Sequence, residues 1–214
     1  MDNVTDVTYC PLKGLKSNYV KTFRFNYTQN GQKKNWDLVI SHDSVAIIIF
    51  NVTRKKLVFV KQFRPAVYFN SIDRSKEVSA NALDTEKHPP SLGVTLELCA
   101  GIVDKNKPWE VIASEEILEE CGYEIDPSKL EKVMAFRGDV GAQGCVQQLY
   151  YCEVTDDMKV AKGGGVSDEM IDVVEMSIEE AEKLLSAPSV QPSPSPPGFF
   201  FALTWFLYHK AKNF

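Results

Sequence analysis

Three glutamates within one short stretch of the chain have the chemistry and spacing of a metal site. Glu116, Glu119 and Glu120 stand at positions i, i+3 and i+4, which share one face of an α-helix. Carboxylates this close repel one another at a cost of roughly a few tenths of a kcal/mol, and a divalent cation between them removes that cost. Because the ligands are all oxygens, they favour Mg²⁺ or Mn²⁺ over Zn²⁺. The alternative interpretation is the solvated outer face of an amphipathic helix.

The surrounding residues predict the helix that carries these carboxylates. Pro108 suits a first helical turn, where its missing N–H needs no partner, and Gly122 is the residue that helices prefer just beyond their end. We therefore predict a helix over residues 108–121. The opposite face is predicted to be apolar, while Ile112 falls on the acidic side. The residues of that apolar face are Val111, Ile117, Leu118 and Cys121.

Residues 101–123 resemble the Nudix box, G-x5-E-x7-R-E-U-x-E-E-x-G-U, where U is a bulky apolar residue. The positions in register are Gly101, Glu116, Ile117, Glu119, Glu120, Gly122 and Tyr123. Two positions depart from the box, because Lys107 stands where it has Glu and Glu115 stands where it has Arg. Since both charges are inverted, we hypothesise that these two side chains still pair, with swapped polarity.

Two flanking segments extend the resemblance to the nucleoside-diphosphate-sugar hydrolase branch of the Nudix family. They are residues 61–65 (KQFRP) and 97–101 (ELCAG). The resemblance implies that the carbonyl of Ala100 joins Glu116, Glu119 and Glu120 as a metal ligand. Arg64 has the bidentate geometry that suits a phosphate, although an ion pair explains it equally well from spacing alone. Glu97 is then expected to position ligands, to pair with Arg64, or both.

A late loop is implied to supply the general base. In this branch of the family a glutamate precedes a strand, and Glu169 occupies that place, so the implied catalytic set is Glu169 with Glu119 and Glu120. Asp168 is the alternative base, and a solvated acidic loop is the alternative without any catalytic role. Glycines at 163–165 are expected to let the loop close on bound substrate.

The resemblance implies Mg²⁺-dependent hydrolysis of the diphosphate linkage of nucleoside diphosphate sugars, with Mn²⁺ as an alternative metal. The expected reaction converts UDP-glucose to UMP and glucose 1-phosphate. ADP-ribose or another ADP-sugar is an alternative substrate, although residues 138–141 (GDVG) stand where ADP-ribose specialists carry a proline. A catalytically weak Nudix-fold nucleotide-binding module is the third interpretation, because the charges at Lys107 and Glu115 are inverted.

Length and composition favour one main domain without a nucleic-acid or membrane partner. The chain has 214 residues, 44% of them hydrophobic, which is enough for one substantial core. A net charge of −5 without a basic run disfavours binding to a phosphate backbone, and no apolar run reaches the length of a membrane span. The five cysteines are odd in number and show no C-x-x-C spacing, so we expect free thiols and a cytoplasmic protein.

The order of predicted elements gives an α/β fold with a mixed β-sheet covered by helices on both faces. This is also the α/β/α sandwich that the Nudix resemblance implies. Strands are predicted at 44–51, 57–61, 94–99, 130–136, 146–154 and 170–176, helices at 178–186 and 199–212, and a surface loop at 70–91.

The N-terminal segment is predicted to form a β-hairpin extension of that sandwich. Asn30 and Gly31 lie between alternating apolar runs within residues 19–40, which is a strong hairpin signal. Because an isolated hairpin is marginally stable, it must pack on its own domain or on a partner subunit. We expect residues 1–43 to be the extension and 44–214 the hydrolase domain. The resemblance implies a homodimer formed through the N-terminal strands.

Overall fold

The computed structural model describes residues 3–12, 17, 19–73, 82–186 and 193–214, and its main feature is a seven-stranded mixed sheet with helices on both faces. The strands are β1 Lys21–Gln29, β2 Gln32–Ile40, β3 Ser44–Asn51, β4 Lys56–Phe63, β5 Val94–Glu97, β6 Cys99–Ile102, β7 Glu131–Arg137, β8 Val146–Val154 and β9 Ile171–Ser177. The helices are α1 Pro65–Ser71, α2 Trp109–Glu116, α3 Ile178–Ser186 and α4 Pro197–His209. The predicted mixed α/β fold is therefore confirmed.

The two central strands of the sheet separate from each other and leave a gap. Strands β3 and β4 pair only next to their connecting turn, from Ile49↔Val58 to Asn51↔Lys56. Farther along, β6 pairs with β3 and β5 pairs with β4, so a short two-strand segment fills the space between them. The predicted strand at 94–99 is thus two strands, and they bring Glu97 and Ala100 into the gap.

The continuous apolar run of β3 is explained by burial on both of its faces. Val45, Ile47 and Ile49 belong to one buried cluster, which α2 completes with Ile112 and the following turn with Ile117. The alternate side chains, Ala46, Ile48 and Phe50, belong to a second cluster, which α4 completes with Phe199, Leu203 and Phe206. Parallel pairing of β3 with β8 places both strands at the centre of the sandwich.

The acidic helix differs from its prediction in its last turn and in the burial of two residues, Leu118 and Ile112. Helix α2 continues into a π-helical turn, Ile117–Cys121, which ends at Gly122 in the left-handed conformation (φ 74°). The prediction that Leu118 lies on a buried face was wrong, since Leu118 is 37% exposed whereas Ile112 is buried. Ile117 and Cys121 on the predicted apolar face are buried as expected, and the acidic side is also buried at Ile112 and Glu120, so the helix contacts the protein on both sides.

The predicted loop at 70–91 was wrong at both ends. Helix α1 extends to Ser71, and a 3₁₀ turn occupies Pro90–Gly93. Ile72 and Leu83 from this segment form a small buried cluster with Tyr68 of α1, which the polar sequence of residues 70–91 did not indicate. Residues 74–81 lie outside the described part of the chain.

The C-terminal elements begin and end close to their predicted positions. Helix α3 matches its prediction, since Ser177 and Glu180 make the expected reciprocal capping box, with N–O distances of 2.7 and 3.2 Å. Helix α4 starts at Pro197, earlier than predicted, because proline needs no N–H partner in a first turn. Its end at His209 is followed by a separate 3₁₀ turn. In the described ranges no helix is long and apolar enough to cross a membrane.

The N-terminal hairpin forms as predicted and contacts the domain at one loop. Asn30 and Gly31 adopt positive φ angles of 53° and 75°, as the two-residue hairpin turn requires. The Trp36 Nε1 donates to the Gly141 carbonyl at 2.7 Å, and the Val39 amide donates to the Ala142 carbonyl at 2.8 Å. The division of the chain at residue 43 stays a prediction.

Candidate active site

The gap between β3 and β4 opens into a cavity of about 540 Å³, a volume typical of small-molecule sites. Its walls come from the end of β4, the β5–β6 segment, the acidic helix and the loop before β9. The predicted site residues that line it are Arg64, Glu97, Ala100, Glu116, Glu120 and Glu169. Glu119 and the alternative base Asp168 are not among the lining residues. Six side chains or carbonyls from distant parts of the sequence therefore share one cavity.

The two inward glutamates are carboxylates in an unfavourable environment. Burial raises the pKa of Glu120 to about 8, although the Ala100 amide donates to its Oε2 at 3.0 Å and opposes the rise. Burial also raises the pKa of Glu116 to about 7, and repulsion from Glu119 and Glu169 adds to the effect. A positive ion in the cavity would favour the charged form of both groups.

The first glycine of the box makes room for Glu116. A Cβ atom at Gly101 would lie only 2.1 Å from the Glu116 Oε1, which is closer than any real contact. A side chain at position 101 would therefore displace the Glu116 carboxylate, so glycine leaves that carboxylate its place at the edge of the cavity.

The glycine run before Glu169 attaches its loop to the acidic helix. The amides of Gly164 and Gly165 donate to the carbonyls of Glu120 and Glu119 at 2.9 and 3.0 Å. A Cβ atom at Gly163 would lie 2.4 Å from the Glu120 carbonyl oxygen, so the contact needs glycine. These bonds satisfy carbonyls at the helix end, which otherwise have no partner. Sequence reasoning missed this docking and assigned the glycines only to loop closure, which stays a prediction.

Arg64 and Glu97 form the ion pair that the sequence offered as one interpretation. Glu97 accepts from Nε and Nη2 of Arg64 at 2.8 and 2.7 Å, and the Thr95 hydroxyl lies 2.5 Å from the same carboxylate. Burial raises the pKa of Glu97, but the guanidinium and the hydroxyl outweigh it and the net shift is downward. Glu97 thus fixes one edge of the guanidinium and leaves the Nη1 side for an anionic ligand.

The hypothesis of a charge-inverted pair in the box is confirmed. The Lys107 Nζ lies 2.5 Å from the Glu115 carboxylate, and the Lys105 Nζ lies 3.5 Å from it. Sequence reasoning missed Lys105, which belongs to no box position. The positive charge of Lys105 partly offsets the rise in the pKa of Glu116. A cationic side chain therefore still lies near the glutamates, although the arginine of the box is absent at position 115.

The residues of the cavity fit a hydrated divalent cation. Glu116, Glu120, Glu169 and the Ala100 backbone offer only oxygen ligands, which Mg²⁺ prefers. Over the ranges that the structure describes, no three His, Cys, Asp or Glu side chains converge into a closed metal cluster. Backbone amides hold two of the carboxylates, since Val166 donates to Glu169 at 2.9 Å just as Ala100 donates to Glu120. Mg²⁺ keeps several waters and takes one or two carboxylates, so an open arrangement suits it.

Comparisons with known proteins relate most of the chain, and not only the box, to named relatives. The chain is 39% identical over 200 residues to uridine diphosphate glucose pyrophosphatase of Bos taurus and 38% identical over 200 residues to that of Mus musculus. Both alignments cover 89% of this chain and 89% of the relative. It is 31% identical over 139 residues to GDP-mannose pyrophosphatase of Cronobacter sakazakii, covering 65% of this chain and 62% of the relative. No model of a protein family matches the chain.

Proposed function

Because the chain belongs to the nucleotide-sugar pyrophosphatases of the Nudix hydrolase family, we propose that it hydrolyses UDP-glucose to UMP and glucose 1-phosphate with Mg²⁺ as its cofactor. The observation that carries this proposal is the single cavity shared by Arg64, Ala100, Glu116, Glu120 and Glu169. The relatives named for UDP-glucose and for GDP-mannose act on one class of compound, in which a diphosphate joins a nucleoside to a sugar. Identities of 39% and 38% to the former, against 31% and 28% to the latter, favour UDP-glucose.

The acidic helix would hold the metal next to the substrate diphosphate. The carboxylates of Glu116, Glu119 and Glu120 and the carbonyl of Ala100 are its proposed ligands. When bound, Mg²⁺ lowers the pKa of water and neutralises the non-bridging oxygens of the diphosphate. Glu116 and Glu120 would be ionised in this state, and the pKa values of about 7 and 8 imply that they release protons as the metal binds. The amide of Ala100 keeps Glu120 in place.

Arg64 is proposed to orient the diphosphate. Glu97 holds the Nε edge of the guanidinium, so that Arg64 loses little side-chain freedom when it contacts a phosphate oxygen. This contact places the scissile linkage at a constant distance from the acidic helix. The ion pair with Glu97 and the phosphate contact are therefore parts of one function.

Glu169 is proposed as the general base that takes the proton of the attacking water. Its Oε2 accepts from the Val166 amide, which leaves Oε1 for that proton. Glu169 lines the cavity and Asp168 is not among its lining residues, so the neighbour serves as a matched control. We expect Glu169→Gln to reduce kcat about a hundredfold or more, and Asp168→Asn to leave it nearly unchanged. A larger loss in Asp168→Asn would reverse the assignment.

Turnover of defined substrates tests the proposed reaction. Purified protein is incubated with UDP-glucose, GDP-mannose or ADP-ribose and MgCl₂, and nucleoside monophosphate and sugar phosphate are quantified. We expect UDP-glucose to give the highest kcat/KM and EDTA to abolish turnover. If no nucleotide sugar is cleaved while calorimetry detects binding, the chain is a nucleotide-binding module and the proposal is refuted.

We also propose that the hairpin β1–β2 joins two copies of the chain into a homodimer. Its large apolar side chains Phe23, Phe25 and Trp36 are 50% to 57% exposed, which is unfavourable on a two-stranded sheet. Replacing Phe23 and Phe25 by serine should shift the protein from dimer to monomer in sedimentation equilibrium. An unchanged molar mass would contradict this role of the hairpin.

A cytoplasmic location is the proposed compartment. All five cysteines are free thiols, including Cys10 on the surface. Free surface thiols persist where the surroundings are reducing. Fractionation of cells that produce the protein would test this location, and recovery in an oxidising compartment would contradict it.

A further inference from the structure

A network of polar side chains lies at the end of the acidic helix, and the proposed mechanism does not use it. Arg54, in the turn between β3 and β4, donates from Nη2 to the Tyr123 hydroxyl at 2.7 Å. The same guanidinium lies 2.8 Å from the Asp156 Oδ1 and 2.6 Å from the Glu175 Oε1. One planar side chain with several donors therefore connects three separate parts of the chain.

The Tyr123 hydroxyl lies in the protein interior and accepts a second hydrogen bond there. Asn51, which is fully buried like Tyr123, donates from Nδ2 to this hydroxyl at 3.2 Å. The Asn51 Oδ1 accepts from the Arg54 amide at 2.9 Å, which holds the turn that carries the guanidinium. A buried hydroxyl is unfavourable without partners, so the position of the Tyr123 ring is coupled to Arg54 and Asn51.

The residues just before Tyr123 form the least regular part of the acidic helix. Glu119 and Glu120 lie in the π-helical turn, and such turns interrupt regular α-helical hydrogen bonding. Contacts from outside the helix support this turn, because the Lys159 Nζ donates to the Cys121 carbonyl at 2.8 Å and lies 4.7 Å from the centroid of the Tyr123 ring. The positions of the two carboxylates therefore depend on where Tyr123 is held.

Glu175 connects the same arginine to the strand that follows the base loop. Strand β9 begins shortly after Glu169 and includes Glu175. On the other side of Glu169, the glycine run at 163–165 attaches the loop to the end of the acidic helix. The loop is thus connected to the helix end twice, by the glycine amides before Glu169 and by the contacts of Arg54 with Glu175 and Tyr123 after it.

We propose that Arg54 and Tyr123 are positioning residues that hold the metal-binding end of the acidic helix in register with the loop that carries Glu169. This inference rests on the proposed function, in which Glu119 and Glu120 bind the metal and Glu169 takes the proton. Arg54 and Tyr123 are not among the lining residues of the cavity, so they act through these carboxylates. A displacement of about 1 Å between a metal ligand and a base is enough to reduce the rate strongly.

A matched pair of variants separates this role from simple stabilisation of the fold. Tyr123→Phe removes the hydroxyl that Arg54 contacts and keeps the buried ring. The control is Tyr151→Phe on β8, since Tyr151 is also buried and its hydroxyl donates to the Glu153 Oε1 at 2.9 Å. Both substitutions remove one hydrogen-bonded tyrosine hydroxyl, so urea unfolding should show a loss of stability in each variant.

Two measurements report on the site without turnover. In calorimetric titrations with MnCl₂, we expect Tyr123→Phe to weaken metal binding about tenfold, the lower end of the effect of losing a residue that supports metal ligands. In the metal-free protein, peptides that cover residues 163–165 should exchange their amide hydrogens faster in Tyr123→Phe, because the helix carbonyls that accept from these amides are held less firmly. Tyr151→Phe should change neither quantity.

Turnover and a second substitution extend the test. At a temperature at which both variants are folded, Tyr123→Phe should lower kcat for UDP-glucose about tenfold and leave KM nearly unchanged, because Arg64 still orients the diphosphate. Arg54→Lys keeps the charge but cannot bind three partners at once, so it should reproduce these effects. The double variant of Arg54→Lys and Tyr123→Phe should be little worse than either single variant, because both remove the same contact.

Three results would overturn the inference. They are unchanged metal affinity and amide exchange in folded Tyr123→Phe, equal changes in Tyr151→Phe, and additive effects of Arg54→Lys and Tyr123→Phe. Failure of the wild-type protein to cleave any nucleotide sugar would instead refute the proposed function. In that case the MnCl₂ titration and the exchange at residues 163–165 still decide whether Arg54 and Tyr123 hold the end of the acidic helix.

Discussion

Replacing Glu120 by glutamine should make the protein more stable at alkaline pH while it loses activity. Burial raises the pKa of this carboxyl from its ordinary value of 4.5 to about 8. In the unfolded chain Glu120 ionises near pH 4.5, whereas in the folded chain it holds its proton until about pH 8. The folded state therefore binds more protons between these values, and stability contributed by this group falls as pH rises through that window.

The size of the effect follows from the pKa. Each pKa unit corresponds to about 1.4 kcal/mol, so full ionisation of Glu120 lowers the free energy of unfolding by up to about 4 to 5 kcal/mol. Relaxation and water entry reduce this to about 2 kcal/mol or more in a real cavity. Glutamine keeps the shape and still accepts the hydrogen bond from the Ala100 amide, but it carries no charge.

Urea unfolding of the wild-type protein and Glu120→Gln at pH 5, 7 and 8.5, without divalent metal, measures this difference. We expect similar stability at pH 5 and a growing advantage of the variant toward pH 8.5. Added MgCl₂ should raise the Tm of the wild-type protein more than that of the variant, because a ligand stabilises the state that binds it. The kcat of the variant should fall about a hundredfold or more. A variant that is less stable at pH 8.5, or whose stability advantage is independent of pH, would refute this reasoning.

Three further predictions concern the supports of the site. Gly163→Ala should lower the free energy of unfolding by about 2 kcal/mol or more and lower kcat, because its Cβ would meet the Glu120 carbonyl at 2.4 Å. The control Gly31→Ala, with the same φ of 75° and open space around it, should lower the free energy of unfolding by only about 1 kcal/mol in chemical denaturation. Equal losses in the two variants would contradict the docking of the glycine run. Arg64→Lys should raise KM for UDP-glucose more than it lowers kcat, since lysine loses the bidentate bond to Glu97. An unchanged KM would show that Arg64 does not bind the substrate. In calorimetric MnCl₂ titrations, Glu115→Lys should lower the affinity for the metal, and the double variant Lys107→Glu with Glu115→Lys should restore it. If the double variant does not restore the affinity, the two side chains do not act as a pair.

Local sequence determined the regular elements because their signals are contained within a few residues. The hairpin turn at Asn30 and Gly31, the capping box at Ser177 and Glu180 and the helix stop at Gly122 all form as predicted. Each depends on the backbone preference or side-chain reach of neighbouring residues. The inverted pair of Lys107 and Glu115 could also be predicted from the sequence, since a charge reversal at both positions preserves their attraction.

Sequence alone could not determine how much of the acidic helix is buried or what holds its end. Of the predicted apolar face, Ile117 and Cys121 are buried but Leu118 is exposed, and the acidic side is buried as well at Ile112 and Glu120, where it meets the gap between β3 and β4. The separation of those two strands depends on pairings between residues that are far apart in the chain. No local sequence pattern indicates such pairings. The acidic helix is also only weakly amphipathic, so its sequence gives little indication of which side is buried.

The composition of the site shows the same division between sequence and tertiary structure. The glutamates and the glycine run can be recognised in the sequence, and the spacing of the glutamates was sufficient to predict a carboxylate site. Only the folded chain makes one cavity from Arg64, Ala100, Glu116 and Glu169, and only there do the glycines attach the Glu169 loop to the helix. These features depend on long-range contacts, in which backbone atoms approach within hydrogen-bonding distance only after the sheet and the helix have packed.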